Sequence, residues 1–218
     1  MKTYNLEATP RETVGQKASR DLRRQGLIPA ILYGQKPVEL PYQCTLSAGE
    51  KIVEIANQKG VVVTDFSVSF EGVRKLIYTP EIYVVVIDIK GSKKVKAILK
   101  DAQFHPVTDS ILHIDFLEVF DDKPVVMEVP VLLEGHALGV KAGGKLNQSI
   151  RKLKVKGFAA NIPEILKVNV EHLELGKAIK VGELSFDNIE IVNAKNTVVC
   201  IVKMTRASQS AAAAAASK

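Results

Sequence analysis

Hydrophobic and polar residues alternate along most of this chain, and β-branched residues fill many of the apolar positions. A period of two residues is typical of strands that bury one face. The alternation therefore predicts more strand than helix in the first 120 residues. The predicted strands of this part span residues 3–9, 29–33, 82–90, 94–101 and 111–119. The third and fourth of these are expected to form a hairpin around Gly91 and Ser92.

Two short segments in this part have helical rather than strand spacing. The first spans residues 17–25 and lies between two glycines, Gly15 and Gly26. The second spans residues 69–78 and ends before Pro80. Because glycine and proline both terminate helices, each segment is predicted to be a short helix.

Residues 37–64 allow two interpretations. Residues 47–50 (SAGE) fit a helical capping box, and apolar residues follow it at helical spacing. Residues 51–56 also alternate as a strand does, and residues 61–63 are three valines. We therefore expect a mixed insertion here, with helix and strand both open.

A break at residues 121–124 (DDKP) separates these elements from a second series of strands. These strands are predicted at residues 125–133, 152–157, 165–170, 189–192 and 197–204, with a turn-rich segment at 135–144. A hairpin turn at 194–196 would join the last two. The predicted organisation is an N-terminal domain over 1–120, a C-terminal all-β domain over 123–206, and a disordered Ser/Ala tail over 207–218. The expected fold class is mainly β with a few short helices (α+β).

Basic residues are concentrated near the N-terminus. The chain carries 30 basic and 24 acidic residues, a net charge of +6, and residues 1–36 alone hold seven basic and three acidic residues. The cluster consists of Arg11, Lys17, Arg20, Arg23 and Arg24. A guanidinium group suits phosphate oxygens and guanine edges, and Tyr33 could add a hydroxyl or a stacking plane. Nucleic-acid binding and an ordinary solvated surface are both open on charge alone.

His113 and Asp115 form the one pair that hints at catalysis. They stand two residues apart on a predicted strand, so both side chains leave the same face. A hydrolase or metal site would need a further group, for which His105 is a candidate, although a turn residue is the simpler interpretation. A hydrogen-bonding patch for a polar partner is the alternative. His136 and His172 are expected at the surface.

The sequence motifs of several enzyme classes are absent. The sequence contains no phosphate-binding loop, no dinucleotide fingerprint, no Cys or His pair at zinc-ligand spacing and no Gly-x-Ser-x-Gly elbow. The glycines of residues 139–144 are expected to form a solvated turn rather than a phosphate site. We therefore predict that the protein is not an enzyme and uses no cofactor and no metal.

Cellular context is indicated by two features. Cys44 and Cys200 lie far apart with no metal-ligand neighbours, which favours a reduced, cytoplasmic protein. The N-terminus has no apolar core region, and the longest apolar run, 82–87, is far too short to span a bilayer. No membrane role is expected.

Several separated segments resemble one family. They are residues 15–24 (GQKASRDLRR), 26–34 (GLIPAILYG), 100–109 (KDAQFHPVTD), 112–119 (LHIDFLEV), 123–125 (KPV), 139–144 (GVKAGG) and 161–164 (NIPE). In this order they are similar to the bacterial large-subunit ribosomal protein family that binds 5S ribosomal RNA. The likeness is to its long two-domain form, which includes general stress protein Ctc, and it covers most of the chain.

The resemblance implies an N-terminal β-barrel that binds 5S ribosomal RNA and a C-terminal β domain. The family's RNA-contacting positions fall on Arg11, Ser19, Arg20, Arg23, Tyr33, Gln103, His113 and Asp115. With Lys17 and Arg24 from the basic segment, these residues form the predicted RNA-binding set. The resemblance also implies a cytoplasmic, ribosome-associated protein, monomeric off the ribosome, with neighbouring ribosomal proteins as further partners. A stress-related adaptor acting mainly through the C-terminal domain is the alternative function.

Overall fold

The computed structural model describes residues 2–39, 50–55, 59–90 and 94–205, and of 35–39, 52–55 and 59–60 it describes the backbone alone. The described residues form two compact units that divide between Lys123 and Pro124. Four predictions concern residues outside the described ranges. They are the tail at 207–218, the turn at Gly91 and Ser92, the start of the capping box at 47–49, and the state of Cys44.

Within the described ranges, the first unit is a barrel of six strands with a seventh strand at one edge. Its elements are β1 (Lys2–Pro10), α1 (Gln16–Arg24), β2 (Leu27–Glu39), β3 (Glu50–Ile55), β4 (Lys59–Ser69), α2 (Phe70–Tyr78), β5 (Tyr83–Ile89), β6 (Lys94–Phe104) and β7 (Ile111–Glu118). The sheet runs β1-β5-β6-β7-β2-β4-β3, and β1 also pairs with the end of β4, which closes the ring. The N-terminal β-barrel is thus confirmed.

Alternate residues of the barrel strands build one hydrophobic core. Inward-facing residues such as Ala30, Phe66, Ile114 and Phe116 are fully buried. The rings of Phe66 and Phe116 lie 5.8 Å apart within this core. Because burying one such ring contributes about 1.5–3 kcal/mol, the register of each strand is firmly set. The opposite face of these strands carries Asp65 and Ser67 of β4 and His113 and Asp115 of β7, of which Asp65 and Ser67 are themselves buried.

Two glycines delimit α1, as the sequence predicted. Gly15 precedes the helix with φ 131°, and Gly26 follows it with φ 76°. Both angles lie where a β-carbon is disfavoured, so glycine suits the start and the end of this helix. The N–H of Gly26 donates to the carbonyl of Arg23 at 3.2 Å and closes the last turn. None of the helix residues is fully buried.

The second predicted helix, α2, is also confirmed. Ser69 caps it, because its Oγ accepts a hydrogen bond from the N–H of Gly72 at 3.3 Å. Val73 and Leu76 are buried against the barrel. Antiparallel pairing of β5 with β6 confirms the predicted pair of strands on either side of residues 91–93.

Two elements of the first unit differ from the expectation. β2 continues past Gly34, where the strand was predicted to end, through an irregular step between Tyr33 and Pro37. A β-carbon at Gly34 would lie 3.1 Å from the carbonyl oxygen of Val62, so glycine allows the strands to approach here. The helical interpretation is wrong for Glu50–Ile55, which pairs with β4 as strand β3. The open edge of β4 supplies hydrogen bonds that local helix signals cannot match.

Over its described residues, 124–205, the second unit is a β domain with two small sheets. Its elements are β8 (Val125–Glu134), α3 (Leu138–Lys141), β9 (Lys145–Gln148), β10 (Lys152–Gly157), β11 (Leu166–Asn169), β12 (Ala178–Lys180), a 3₁₀ turn (Val181–Glu183), β13 (Glu190–Ile191) and β14 (Val198–Lys203). One sheet runs β11-β8-β10-β13 and the other β12-β14-β9. All five strands predicted here are present, while β9, β12 and the helical turn α3 were not predicted.

The predicted hairpin between the last two strands is wrong. A turn does occur there, because the N–H of Thr197 donates to the carbonyl of Ala194 at 2.9 Å. However, β13 pairs with β10, and β14 pairs with β9 and β12, so the turn leads from one sheet to the other. Local turn chemistry alone does not determine which strands pair across it.

The glycines of residues 139–144 serve close packing. A β-carbon at Gly139 would lie 2.7 Å from the backbone of Glu174 and Leu175. One at Gly144 would lie 2.5 Å from a methyl group of Val202. These contacts favour a packed structural turn at this position.

Candidate nucleic-acid interface

Helix α1 is tied to strand β7 by one of its arginines. The Nε of Arg23 donates to the carbonyl oxygen of Leu112 at 3.0 Å. Leu112 directly precedes His113, so the basic helix lies beside the polar residues of β7. The structure therefore brings together the two groups of predicted residues that are about 90 positions apart in the chain.

The other basic residues of α1 are exposed. Arg24 lies 3.7 Å from Asp21 across one helical turn, but both side chains are more than half exposed, and such pairs contribute little. Among the described residues, Lys17 and Arg20 have no ion-pair partner. This end of the molecule therefore presents cations whose charge is not neutralised internally.

Arg11 differs from these residues because it is buried. Its side chain lies under the start of α1, where Nη2 donates to the Oγ of Ser19 at 3.2 Å and to the carbonyl of Thr13 at 3.5 Å. Only 7% of Arg11 is exposed, and its Nε has no hydrogen-bond partner among the described residues. A buried cation without a carboxylate partner is costly, so Arg11 and Ser19 brace the first turn of α1 at some expense of stability.

His113 and Asp115 share the outer face of β7, as the alternation predicted. Nδ1 of His113 lies 2.6 Å from Oδ1 of Asp115, and both side chains are about one-fifth exposed. A carboxylate can only accept from the imidazole, yet the geometry of this contact leaves Oδ1 of Asp115 buried without a hydrogen-bond partner among the described residues. This contact uses Nδ1 of His113, so Nε2 remains for a further partner.

Gln103 and Tyr33 lie on the strands that flank β7. Gln103 of β6 stands opposite His113 and is exposed. Tyr33 of β2 is half-buried, and burial, together with the negative charges of Asp115 and Asp65, raises the pKa of its hydroxyl. Tyr33 therefore keeps its proton at neutral pH and can donate a hydrogen bond.

An ion pair between a buried carboxylate and an exposed lysine next to this face was not predicted from the sequence. Asp65 of β4 is 6% exposed and lies 3.1 Å from Nζ of Lys51 on β3. The available signal was a lone carboxylate inside the apolar run at residues 61–66. The pair extends the line of polar side chains from β7 across β2 to β4 and β3.

His105 holds a turn rather than completing a site. Its Nδ1 accepts hydrogen bonds from the N–H groups of Val107 and Thr108 at 3.3 and 3.2 Å. His136 and His172 are exposed, as predicted. Within the part of the chain that the structure describes, no three His, Cys, Asp or Glu side chains are grouped so as to hold a metal ion. Over the same ranges, no helix has the length and apolar character to cross a membrane.

The fold and this site define a class of protein: a two-domain β protein whose N-terminal barrel carries a basic helix beside a polar strand face. A model of the ribosomal L25p family matches residues 6–116, and a model of the C-terminal domain of ribosomal protein TL5 matches residues 124–206. The chain therefore belongs to the ribosomal L25p family, in its long two-domain form.

Full-length relatives agree with this assignment. The chain is 52% identical to the large ribosomal subunit protein bL25 of Porphyromonas gingivalis, over 97% of this chain and 98% of that protein. It is 52% identical to the protein of that name from Parabacteroides distasonis, over 98% and 99%. The protein of that name from Phocaeicola vulgatus is 51% identical, over 99% of both chains. Membership of a ribosomal protein family makes this chain a structural protein rather than an enzyme.

Proposed function

We propose that this protein is a component of the large ribosomal subunit that binds 5S ribosomal RNA through α1 and the outer face of β7. The observation that carries the proposal is the hydrogen bond from Arg23 to the carbonyl of Leu112. It joins an exposed arginine helix and a polar strand face into one surface, which a folded RNA could contact with both its backbone and its groove.

The two halves of this surface suit different parts of an RNA helix. Lys17, Arg20 and Arg24 are placed to contact phosphate oxygens, which supply affinity without sequence information. His113, Tyr33 and Gln103 are donors or acceptors suited to 2′-hydroxyls and base edges. Because the minor groove of an A-form helix is wide and shallow, side chains on a strand face can reach those groups.

Arg11 and Ser19 are the remaining members of the proposed RNA-binding set. They hold the first turn of α1 in place, and the exposed edge of this turn presents Lys17 and Arg20. We therefore assign Arg11 mainly a positioning role in RNA binding.

We further propose the setting that follows from this assignment. The binding domain is residues 1–120, and residues 123–206 form a separate domain with contacts elsewhere. The protein acts in the cytoplasm on the ribosome, is monomeric when free, and has neighbouring ribosomal proteins as further partners. The large-subunit name of its relatives supports this setting.

Binding of the full chain to 5S ribosomal RNA and to an unrelated RNA hairpin tests the proposal. We expect a clear preference for 5S RNA, and Arg20→Ala should weaken it and reduce the slope of log affinity against log salt by about one. Arg151→Ala, which removes an exposed arginine of the second unit, is the matched control and should change neither quantity. Equal affinity of the wild-type protein for the two RNAs would refute the proposed function.

A further inference from the structure

Helix α2 carries an exposed stripe that the barrel core does not use. Val73 and Leu76 bury one face of this helix, whereas Phe70, Arg74 and Tyr78 lie at positions i, i+4 and i+8 on another. Phe70 is 39% exposed and Tyr78 is 58% exposed. At 1.5 Å per residue, the stripe is about 12 Å long.

The composition of this stripe is that of a contact surface. A single exposed apolar residue needs no explanation, but two aromatic rings on either side of an arginine are enriched where proteins bind partners. Among the described residues, Arg74 has no ion-pair partner. Its guanidinium is therefore available to a ligand, with one ring on each side.

The stripe begins where the arginine helix ends. The N–H of Phe70 donates to the carbonyl oxygen of Gly26 at 3.3 Å, and Gly26 closes the last turn of α1. Leu27 pairs with Ser69 in the adjoining strands. The last turn of α1, which holds Arg23 and Arg24, thus ends beside the first residue of the stripe.

We infer that Phe70, Arg74 and Tyr78 bind unpaired nucleotides of the same RNA that α1 contacts, with bases stacked on the two rings and Arg74 between them. The inference rests on the proposed function and extends its surface onto α2. Aromatic rings stack only on bases that are free of a helix, and arginine adds a phosphate contact or a stacking plane. Lys75 next to Arg74 and the arginines of α1 outnumber Glu71, the acidic residue in the first turn of α2, so the net charge around the stripe is positive, which favours RNA over a basic protein partner.

Two kinds of variant separate stacking from charge. Phe70→Leu combined with Tyr78→Leu keeps apolar side chains but removes both rings, and should weaken binding of the full chain to 5S RNA about tenfold with an unchanged salt slope. Arg74→Ala should lower that slope by about one. Phe158→Leu, at a phenylalanine of the second unit that is 45% exposed, is the matched control. Chemical probing of the bound RNA should show unpaired nucleotides that the wild-type protein and the other variants protect and that the double variant does not.

The outcomes distinguish this inference from the function on which it rests. If wild-type protein prefers 5S RNA and Arg20→Ala weakens it, but the double variant and Arg74→Ala bind as wild type does, the stripe does not contact RNA and the inference is wrong. If the wild-type protein shows no preference, both proposals fail. Should the double variant not fold, Tyr78→Leu alone, at the more exposed position, tests in the same way whether the stripe contacts RNA.

Discussion

At the scale of single residues, the contact between His113 and Asp115 decides which hydrogen bond the histidine can offer. An imidazole that turns Nδ1–H toward this carboxylate presents Nε2 as an acceptor. An amide at position 115 could donate instead, and the imidazole would then adopt the other tautomer. Asp115 is therefore expected to act on RNA through His113.

We predict that Asp115→Asn weakens binding to 5S RNA about tenfold and leaves the salt slope unchanged, because no phosphate contact is lost. His113→Ala should produce a similar loss, and the double variant should be little worse than either single one. Asp101→Asn, a carboxylate opposite Asp115 on β6, is the control. Titration calorimetry measures the affinities, and additive losses in the double variant would show that the two residues act separately.

Residue patterns predicted which of these side chains share a face, but not how deeply each one is buried. Spacing on a strand was sufficient to place His113 and Asp115 on one face, because a two-residue period holds in any sheet. Nothing local distinguished Arg11, which is buried, from Arg20, which is exposed. Burial depends on what packs above a residue, and for Arg11 this is the first turn of α1.

At the scale of elements, α1 depends on its terminal glycine. Gly26 has φ 76°, and a β-carbon there would contact nothing within 4 Å, so any effect of a substitution comes from the backbone conformation. The last turn of α1 contains Arg23, which makes the hydrogen bond to β7. The helix end therefore links local backbone geometry to the proposed RNA surface.

We predict that Gly26→Ala lowers the free energy of unfolding by about 1–2 kcal/mol, because alanine is disfavoured at positive φ. Gly26→Asn should lower it less, since asparagine tolerates that region better. Urea denaturation followed by circular dichroism measures both variants. Equal stability of the alanine and asparagine variants would contradict a backbone cause.

Elements bounded by glycine, proline or a capping serine were predicted well, and edge elements were not. α1 and α2 carry their own termination signals, whereas β3 takes its conformation from the exposed edge of β4. Short strands such as β9 and β12 hold three or four residues, too few for a period of two to emerge. Their pairing with β14 is what makes them strands.

At the scale of the whole molecule, the buried thiol of Cys200 reports on the integrity of the second unit. Cys200 is fully buried on β14, and burial raises the pKa of its thiol, although a backbone hydrogen bond from Ile179 acts in the opposite direction. The unfolded chain therefore loses this proton at a lower pH than the folded chain. This contribution to stability declines as the pH rises above the ordinary thiol value of about 8.5.

We predict that in a Cys44→Ser variant the remaining thiol, that of Cys200, reacts with an aromatic disulfide reagent on the order of a hundredfold more slowly in buffer than in denaturant. Labelling of the folded protein requires opening of the sheet. The free energy of unfolding should also fall between pH 8 and pH 10, because the thiol of Cys200 has a higher pKa in the folded chain than in the unfolded chain. Rapid labelling of the folded protein would show that Cys200 is accessible.

The sequence by itself determined the class of fold, most strands, both helices of the barrel and the shared face of His113 and Asp115, because period, glycine position and side-chain chemistry are local properties. Tertiary structure alone decided that β1 meets β4 to close the barrel, that β13 and β14 enter different sheets, and that α1 lies against β7. These are contacts between residues far apart in the chain. Their free energy depends on which surfaces are buried together, and no local pattern contains that information.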